Sequence, residues 1–198
     1  MSITASQVNE LRKMTGAGLM DCKKALTEAD GDIDKAVDLL RKKGQKVSAL
    51  RAGREATEGV VIAITNDAND FGVAVHLSCE TDFVAKNEDF VALAEKAAEL
   101  ALEHRPADLE ALKNLELDGL KLSERVTELV GKINEKIELA NYDHLSSEGV
   151  VAYIHAGNKI GVLVGLTKGS DKALEVGYDV AMQIAAMNPI AVDQEGVP

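Results

Sequence analysis

Gly72-Val73-Ala74-Val75-His76-Leu77 returns 89 residues later as Gly161-Val162-Leu163-Val164-Gly165-Leu166, and Glu58-Gly59-Val60-Val61 returns 90 residues later as Glu148-Gly149-Val150-Val151. The order and spacing are shared as well as the residues, which marks a duplicated unit. Both long runs are rich in β-branched residues and read as strands. In the first unit, residues 60–65 should pair across Asn66-Asp67-Ala68-Asn69-Asp70 with residues 71–77. In the second, residues 150–155 should pair across Ala156-Gly157-Asn158 with residues 160–166. Asn and Gly in such turns supply the left-handed conformations that hairpins need. Each hairpin leads into a helical stripe, residues 87–105 stopped by Pro106, and about 170–187 stopped by Asn188-Pro189. The fold class predicted is α+β, with the two hairpins forming one antiparallel sheet and helices on a face.

Between strand and helix in the first unit lies Cys79-Glu80-Thr81-Asp82-Phe83-Val84-Ala85-Lys86-Asn87. Asn87 is placed to cap the helix, with Glu88 and Asp89 in its first turn and Phe90, Leu93, Ala94, Ala97 and Ala101 on one stripe. Phe83, one of three Phe in the chain, sits on the corner. A large apolar side chain there can cap the core or be offered to a partner. The matching corner of the second unit, Thr167-Lys168-Gly169-Ser170, has no aromatic.

Units at about 58–105 and 148–189 leave a helical insert at 106–147. It should hold a short helix at 106–114, then a longer one capped by Ser123 with Val126, Leu129, Val130, Ile133 and Ile137 at helical spacing. A short strand at 139–142 should join the second unit. Ahead of the core, residues 1–44 read as three short helices. Thr4 and Gln7 form a capping box with Ile3 and Val8 as its hydrophobic staple. Thr15-Gly16-Ala17-Gly18 is a tight turn, and Leu19, Cys22, Ala25, Leu26 and Ala29 should face inward from the second helix. Asp32 caps the third helix, whose stripe is Ile33, Ala36, Val37 and Leu40 and which should end at Gly44. Met14, Leu19 and Met20 bracket the turn, either filling this small core or forming an adaptable binding patch. The layout resembles a ubiquitin-associated (UBA) fold, and residues 45–57 read as a polar, basic linker for which a helical form is left open.

Charge is unevenly spread. Residues 1–54 hold eleven Lys or Arg against seven Asp or Glu, and the remainder eleven against twenty-six. An acidic body repels phosphate backbones, so no direct nucleic-acid partner is expected. No apolar run has membrane-spanning length and the N-terminus lacks a signal-peptide layout, which predicts a cytoplasmic protein without membrane association. Two isolated cysteines make no disulfide framework. His76, His104, His144 and His155 have no metal-ligand spacing with either cysteine. Gly16-Ala17-Gly18 lacks the Lys-Ser/Thr ending of a phosphate loop, and Asp32, Asp34 and Asp38 lack the Gly and Glu of a calcium loop. No cofactor, metal or enzymatic activity is therefore predicted. Cys79 with His76 is the one arrangement that would yield an enzyme, if a base reached the thiol.

Three segments in order, Met14-Thr15-Gly16-Ala17-Gly18-Leu19-Met20-Asp21-Cys22-Lys23-Lys24-Ala25-Leu26, Cys79 through Asn87 as quoted above, and Ala181-Met182-Gln183-Ile184-Ala185-Ala186-Met187-Asn188-Pro189, resemble the signatures of the elongation factor Ts family. The resemblance implies a guanine-nucleotide exchange factor for elongation factor Tu, acting in translation. It further implies that the UBA-like module docks on the GTPase domain of that partner through Met14, Thr15, Gly16, Ala17, Gly18, Leu19 and Met20. Thr81, Asp82, Phe83 and Val84 match the family segment implicated in dislodging the partner's Mg²⁺, with Phe83 as the intruding side chain. Family members often carry His where this chain has Asp179 and Gln183, here expected as secondary partner contacts. The family usually continues beyond the position of Val197-Pro198, so the core at 58–198 is expected to be incomplete at its C-terminus. The alternative that the residues leave open is a general protein-interaction role for the UBA-like module.

Overall fold

The computed structural model describes residues 3–198. The fold is α+β, with eight α-helices and antiparallel sheets among the described residues. Three helices come first: α1 (Ala5–Thr15), α2 (Leu19–Glu28) and α3 (Ile33–Arg51). The Thr4–Gln7 capping box is formed, and Asp32 accepts from the Lys35 N–H to cap α3. Val8, Leu11, Cys22, Ala25, Leu26, Ala29 and Ala36 make the small core.

Leu19 does not join it. As the first residue of α2 it is exposed beside Met20, on a groove of about 450 Å³ shared with Ile3, Ala5 and Val8. Gly44 does not end α3 either, because the helix continues through the expected linker as far as Arg51. This glycine is a contact point. A Cβ on Gly131 of α7 (Leu122–Ile133) would lie 2.8 Å from the Gly44 Cα, and one on Gly44 would lie 3.0 Å from the Thr127 carbonyl oxygen. Only hydrogen on both Cα atoms lets the two backbones come this close.

The first unit has β1 (Glu58–Thr65), β2 (Phe71–Cys79), the one-turn helix α4 (Asp82–Ala85) and α5 (Glu88–His104). The second has β6 (Gly149–Ile154), β7 (Gly161–Leu166) and α8 (Asp171–Met187), followed by a 3₁₀ turn at Gln194–Gly196. Asn69, Gly157 and Asn158 take positive φ in the hairpin turns. The hairpins do not merge into one sheet. β1 and β2 are joined by β5 (Ile137–Ser146) in the order β1-β2-β5, while β6 and β7 pair only with each other.

The two hairpins stack instead. Val60, Ile62, Val73, Val75 and Leu77 face α5, whose Phe90, Ala94, Ala97 and Ala101 are wholly buried. The alternate face meets the second hairpin, where Cβ atoms on Gly72 and Gly161 would strike Val150 and Val61. These recurrent glycines therefore serve close sheet approach. The tips are bonded across: the Val61 N–H donates to the Asn158 carbonyl at 2.7 Å, and the Val150 N–H to that of Asn69 at 2.6 Å. α8 covers the far face of β6 and β7 through Val151, Val162 and Ala181.

The insert is not wholly helical. It holds α6 (Leu109–Asn114), a small hairpin of β3 (Glu116–Leu117) and β4 (Leu120–Lys121) turning at Asp118-Gly119, then α7 and β5. Ser123 lies inside α7 rather than capping it; Lys121 is the cap, its N–H donating to Glu124. Asn134 at φ 65° closes α7, so Ile137 belongs to β5. β5 is far longer than the strand expected at 139–142 and extends the first sheet, because Ile137, Leu139 and, beyond a bulge at Ala140, Tyr142 complete that core.

Candidate functional site, an aromatic corner held by two carboxylates

β2 ends at Cys79, flanked by Glu58 on one side and Ile137 on the other. The single turn α4 follows, and its short length leaves little helical stability of its own. Val84 and Ala85 point into the main core, which turns Phe83 outward and leaves it 82% exposed. Core capping is thereby excluded for this ring. Asp82 pairs with Lys86 at 2.8 Å, a hydrogen bond that holds its carboxyl below the usual value. Asn87 caps α5, accepting from the N–H groups of Asp89 and Phe90.

Thr81 stands at the cap position of α4, yet its side chain makes no cap bond. Its hydroxyl donates to Glu135 Oε1 at 2.9 Å and its N–H to Glu135 Oε2 at 3.1 Å. Glu80 accepts from Arg51 at 3.3 Å, Arg54 at 3.0 Å and the Lys136 N–H at 2.6 Å. The Lys136 N–H, opposed by burial and aided by Arg54 and Arg51, lowers the Glu80 carboxyl. Sequence spacing alone does not single out Arg51, Arg54, Glu80 and Glu135 as a group, since their pairings join segments 26 to 56 residues apart. Cys79 is buried and its thiol donates to the Thr81 carbonyl at 3.2 Å. Burial first, then the Glu135 charge, pushes that thiol up to about 11, so it is no thiolate at neutral pH.

The first sequence motif is divided. Met14, Thr15 and Ala17 line a cleft of about 330 Å³ against α3 and α7. Leu19 and Met20 line the separate groove on α2. Thr15 and Ala17 are partly consumed by the turn, where the Thr15 hydroxyl donates to the Leu11 carbonyl and accepts the Ala17 N–H. A Cβ on Gly16 would meet Lys132 of α7, so that side of the turn is backed by the insert. Met14 and Met20 are each 61% exposed. Asp179 and Gln183 flank a groove of about 450 Å³ on α8 with Val176, Val180 and Met187. That apolar stripe is exposed, and the signal for it was present: α8 is apolar on both faces.

Among the described residues there is no group of three or more His, Cys, Asp or Glu able to hold a metal ion, and no helix long and apolar enough to cross a membrane. The conspicuous features of this surface are contact side chains: a clamped, exposed aromatic, an exposed Met-rich turn and an apolar helix face. Such a surface is suited to contact with another macromolecule. A family profile described as "Elongation factor TS" matches residues 80–198. The chain is 59% identical to an "Elongation factor Ts" of Amoebophilus asiaticus, covering 100% of this chain and 72% of that one. It is 53% identical to that of Christiangramia forsetii, with 98% and 70% covered, and 48% identical to that of Flavobacterium psychrophilum, with 99% and 71% covered. The chain belongs to the elongation factor Ts family, a family of translation elongation factors.

Proposed function

We propose that the chain is a cytoplasmic guanine-nucleotide exchange factor that binds elongation factor Tu carrying GDP and promotes release of that GDP and its replacement by GTP. One observation carries the reading: Phe83 is presented to solvent on a corner whose neighbours are buried or clamped. An exposed aromatic on a fixed base can be pushed between elements of a partner without prior reorganisation. We assign Thr81, Asp82, Phe83 and Val84 to disturbing the partner's Mg²⁺ site, with Phe83 the inserted group, Val84 the anchor in the core and Thr81 the tether. Mg²⁺ demands near-ideal octahedral geometry, so a small displacement of its supports weakens it together with the phosphates it bridges. Reciprocity then applies: a factor that binds the nucleotide-free partner best weakens nucleotide binding by the same factor. No bond is made or broken by this chain, so it needs no catalytic side chain or cofactor.

Docking is assigned to the N-terminal module, which we read as UBA-like. Met14, Leu19 and Met20 supply the adaptable apolar contacts, and Thr15, Gly16, Ala17 and Gly18 the turn that spaces them. Asp179 and Gln183 are assigned as secondary contacts beside the α8 groove. Stopped-flow release of fluorescent GDP from elongation factor Tu tests the proposal. Acceleration of about a hundredfold or more is expected at saturating factor. Folded protein that binds without any acceleration would leave a general interaction role in its place.

A further inference from the structure

With 82% of its surface exposed, Phe83 is not held by its own packing. Its position is set by the backbone of residues 81–85. On the inside that backbone is anchored by Val84 and Ala85. On the other side the anchors are two carboxylates. Glu135, just after the left-handed Asn134, gives both oxygens to Thr81. Glu80 gathers the end of α3, through Arg51 and Arg54, and the start of the segment leading into β5, through the Lys136 N–H. Its side chain is only 18% exposed and that of Arg51 16%, so this pair is screened less than a surface pair. Charge-assisted hydrogen bonds of this kind are shorter and stronger than neutral ones. They also have a geometric consequence: the corner is tied to the helix whose other end belongs to the N-terminal module.

We propose that Glu80 and Glu135 are positioning residues for the Phe83 wedge: they fix the turn at 81–85 relative to the body and, through Arg51 and Arg54, relative to the N-terminal module. This inference rests on the exchange reading for its consequence, though the bracing itself is a property of the free protein. A loose corner would have to be ordered during insertion, and that entropy cost would fall on the release step rather than on docking.

The chain contains no Trp, so Phe83→Trp installs a single Trp at the wedge, which can be excited apart from the three Tyr. In that background Glu80→Gln and Glu135→Gln should each raise the amplitude of sub-nanosecond depolarisation on the order of twofold. Glu175→Gln, an exposed change on α8, should not. With Phe83 retained, Glu135→Gln should lower the maximal rate of GDP release about tenfold while half-saturation by the factor stays put. Thr81→Val, which removes the hydroxyl that donates to Glu135, should resemble Glu135→Gln. In a Phe83→Ala background Glu135→Gln should add nothing, since the group it positions is gone. Equal losses with and without the ring, or losses that merely follow thermal stability, would make the carboxylates general supports and overturn the proposal. So would an immobile Phe83→Trp reporter in both Gln variants. Failure of the parent protein to accelerate release would sink the exchange reading alone, because the anisotropy result still decides whether the two carboxylates hold the corner.

Discussion

The two units of the core solve the strand-to-helix passage differently. Residues 80–87 separate β2 from α5, whereas residues 167–170 suffice between β7 and α8. The short passage is close-packed: Ser170 caps α8 by accepting the Ala173 N–H, and a Cβ on Gly169 would overlap the Glu148 carbonyl oxygen. The fold therefore needs no extra turn to connect a hairpin to its helix. The first unit has one nevertheless, turns Phe83 of α4 out to solvent, and restrains that turn with Glu80 and Glu135. A departure from the repeat that is restrained in this way is a better pointer to a working element than any residue the two units share. The helices differ in the same spirit. α5 lies between the first sheet and α7, while α8 rests on β6 and β7 and leaves Val176, Val180 and Met187 in solvent.

The largest expected effect belongs to the long corner. Phe83→Ala should slow GDP release from elongation factor Tu roughly 30-fold or more, the range of an interface hot spot. Melting temperature should shift by no more than about 1 °C, since an exposed ring contributes little to stability. A melting shift that accounts for the activity loss would return the ring to a structural role and erase the contrast. The short corner should respond in stability instead. Gly169→Ala should destabilise the protein by about 2 kcal/mol in urea unfolding, because backbone rather than a flexible side chain stands in the way of the new methyl. Near-neutral behaviour there would mean that the second passage is not close-packed, and the comparison would fail on that side.

Much of this architecture was legible in the chain. The duplication exposed both hairpins because register and turn chemistry are local, and the capping residues Thr4, Asp32 and Asn87 do what their type and position require. What could not be read is non-local. Gly44 looks like a helix stop, and only Gly131 across the α3–α7 crossing shows that this glycine serves a close helix contact instead. Residues 137–146 look like a helix end and a short strand until β2 offers an edge to pair with along their whole length. The merging of the hairpins into one sheet was a topological choice that periodicity leaves open, and Gly72 and Gly161 decide it by allowing face-to-face stacking. At the corner, sequence offered two fates for Phe83, and burial of its neighbour Val84 separates them. The clamp was invisible because Glu80 and Glu135 are unremarkable carboxylates until the fold brings Arg51, Arg54 and Thr81 to them.

A smaller effect is expected inside the long corner. Cys79→Ser should cost about 1 kcal/mol, since a hydroxyl replaces a thiol in an apolar site but can still donate to the Thr81 carbonyl. GDP release should be nearly unchanged, because the thiol is neutral and inert where it lies. Complete loss of activity with an intact fold would point to thiol chemistry at this corner instead.

The smallest expected effect is an acid loosening confined to the same corner. Glu80 has its carboxyl lowered from an ordinary value of 4.5, chiefly by the Lys136 N–H and secondarily by Arg54 and Arg51. A carboxylate with a folded value below its unfolded one adds stability that is fully present above the unfolded value and is lost as pH falls through the folded one. Between about pH 7 and 5 the Phe83→Trp reporter should therefore hold a constant anisotropy, and its mobility should rise only below about pH 4.5. Asp82, lowered by Lys86, titrates beside the same ring and must be separated from Glu80. Asp82→Asn should leave the acid step in place, whereas Glu80→Gln should start mobile at neutral pH and lose the part of the step that Glu80 carries, because an amide has no proton to gain; Glu135, the other bracing carboxylate, is still present in that variant. A step that survives Glu80→Gln but vanishes with Asp82→Asn would move the pH-sensitive restraint from the half-buried clamp to the exposed Asp82–Lys86 pair. The corner would then be held by α4 itself, and the need for a brace, on which the contrast between the two passages turns, would disappear.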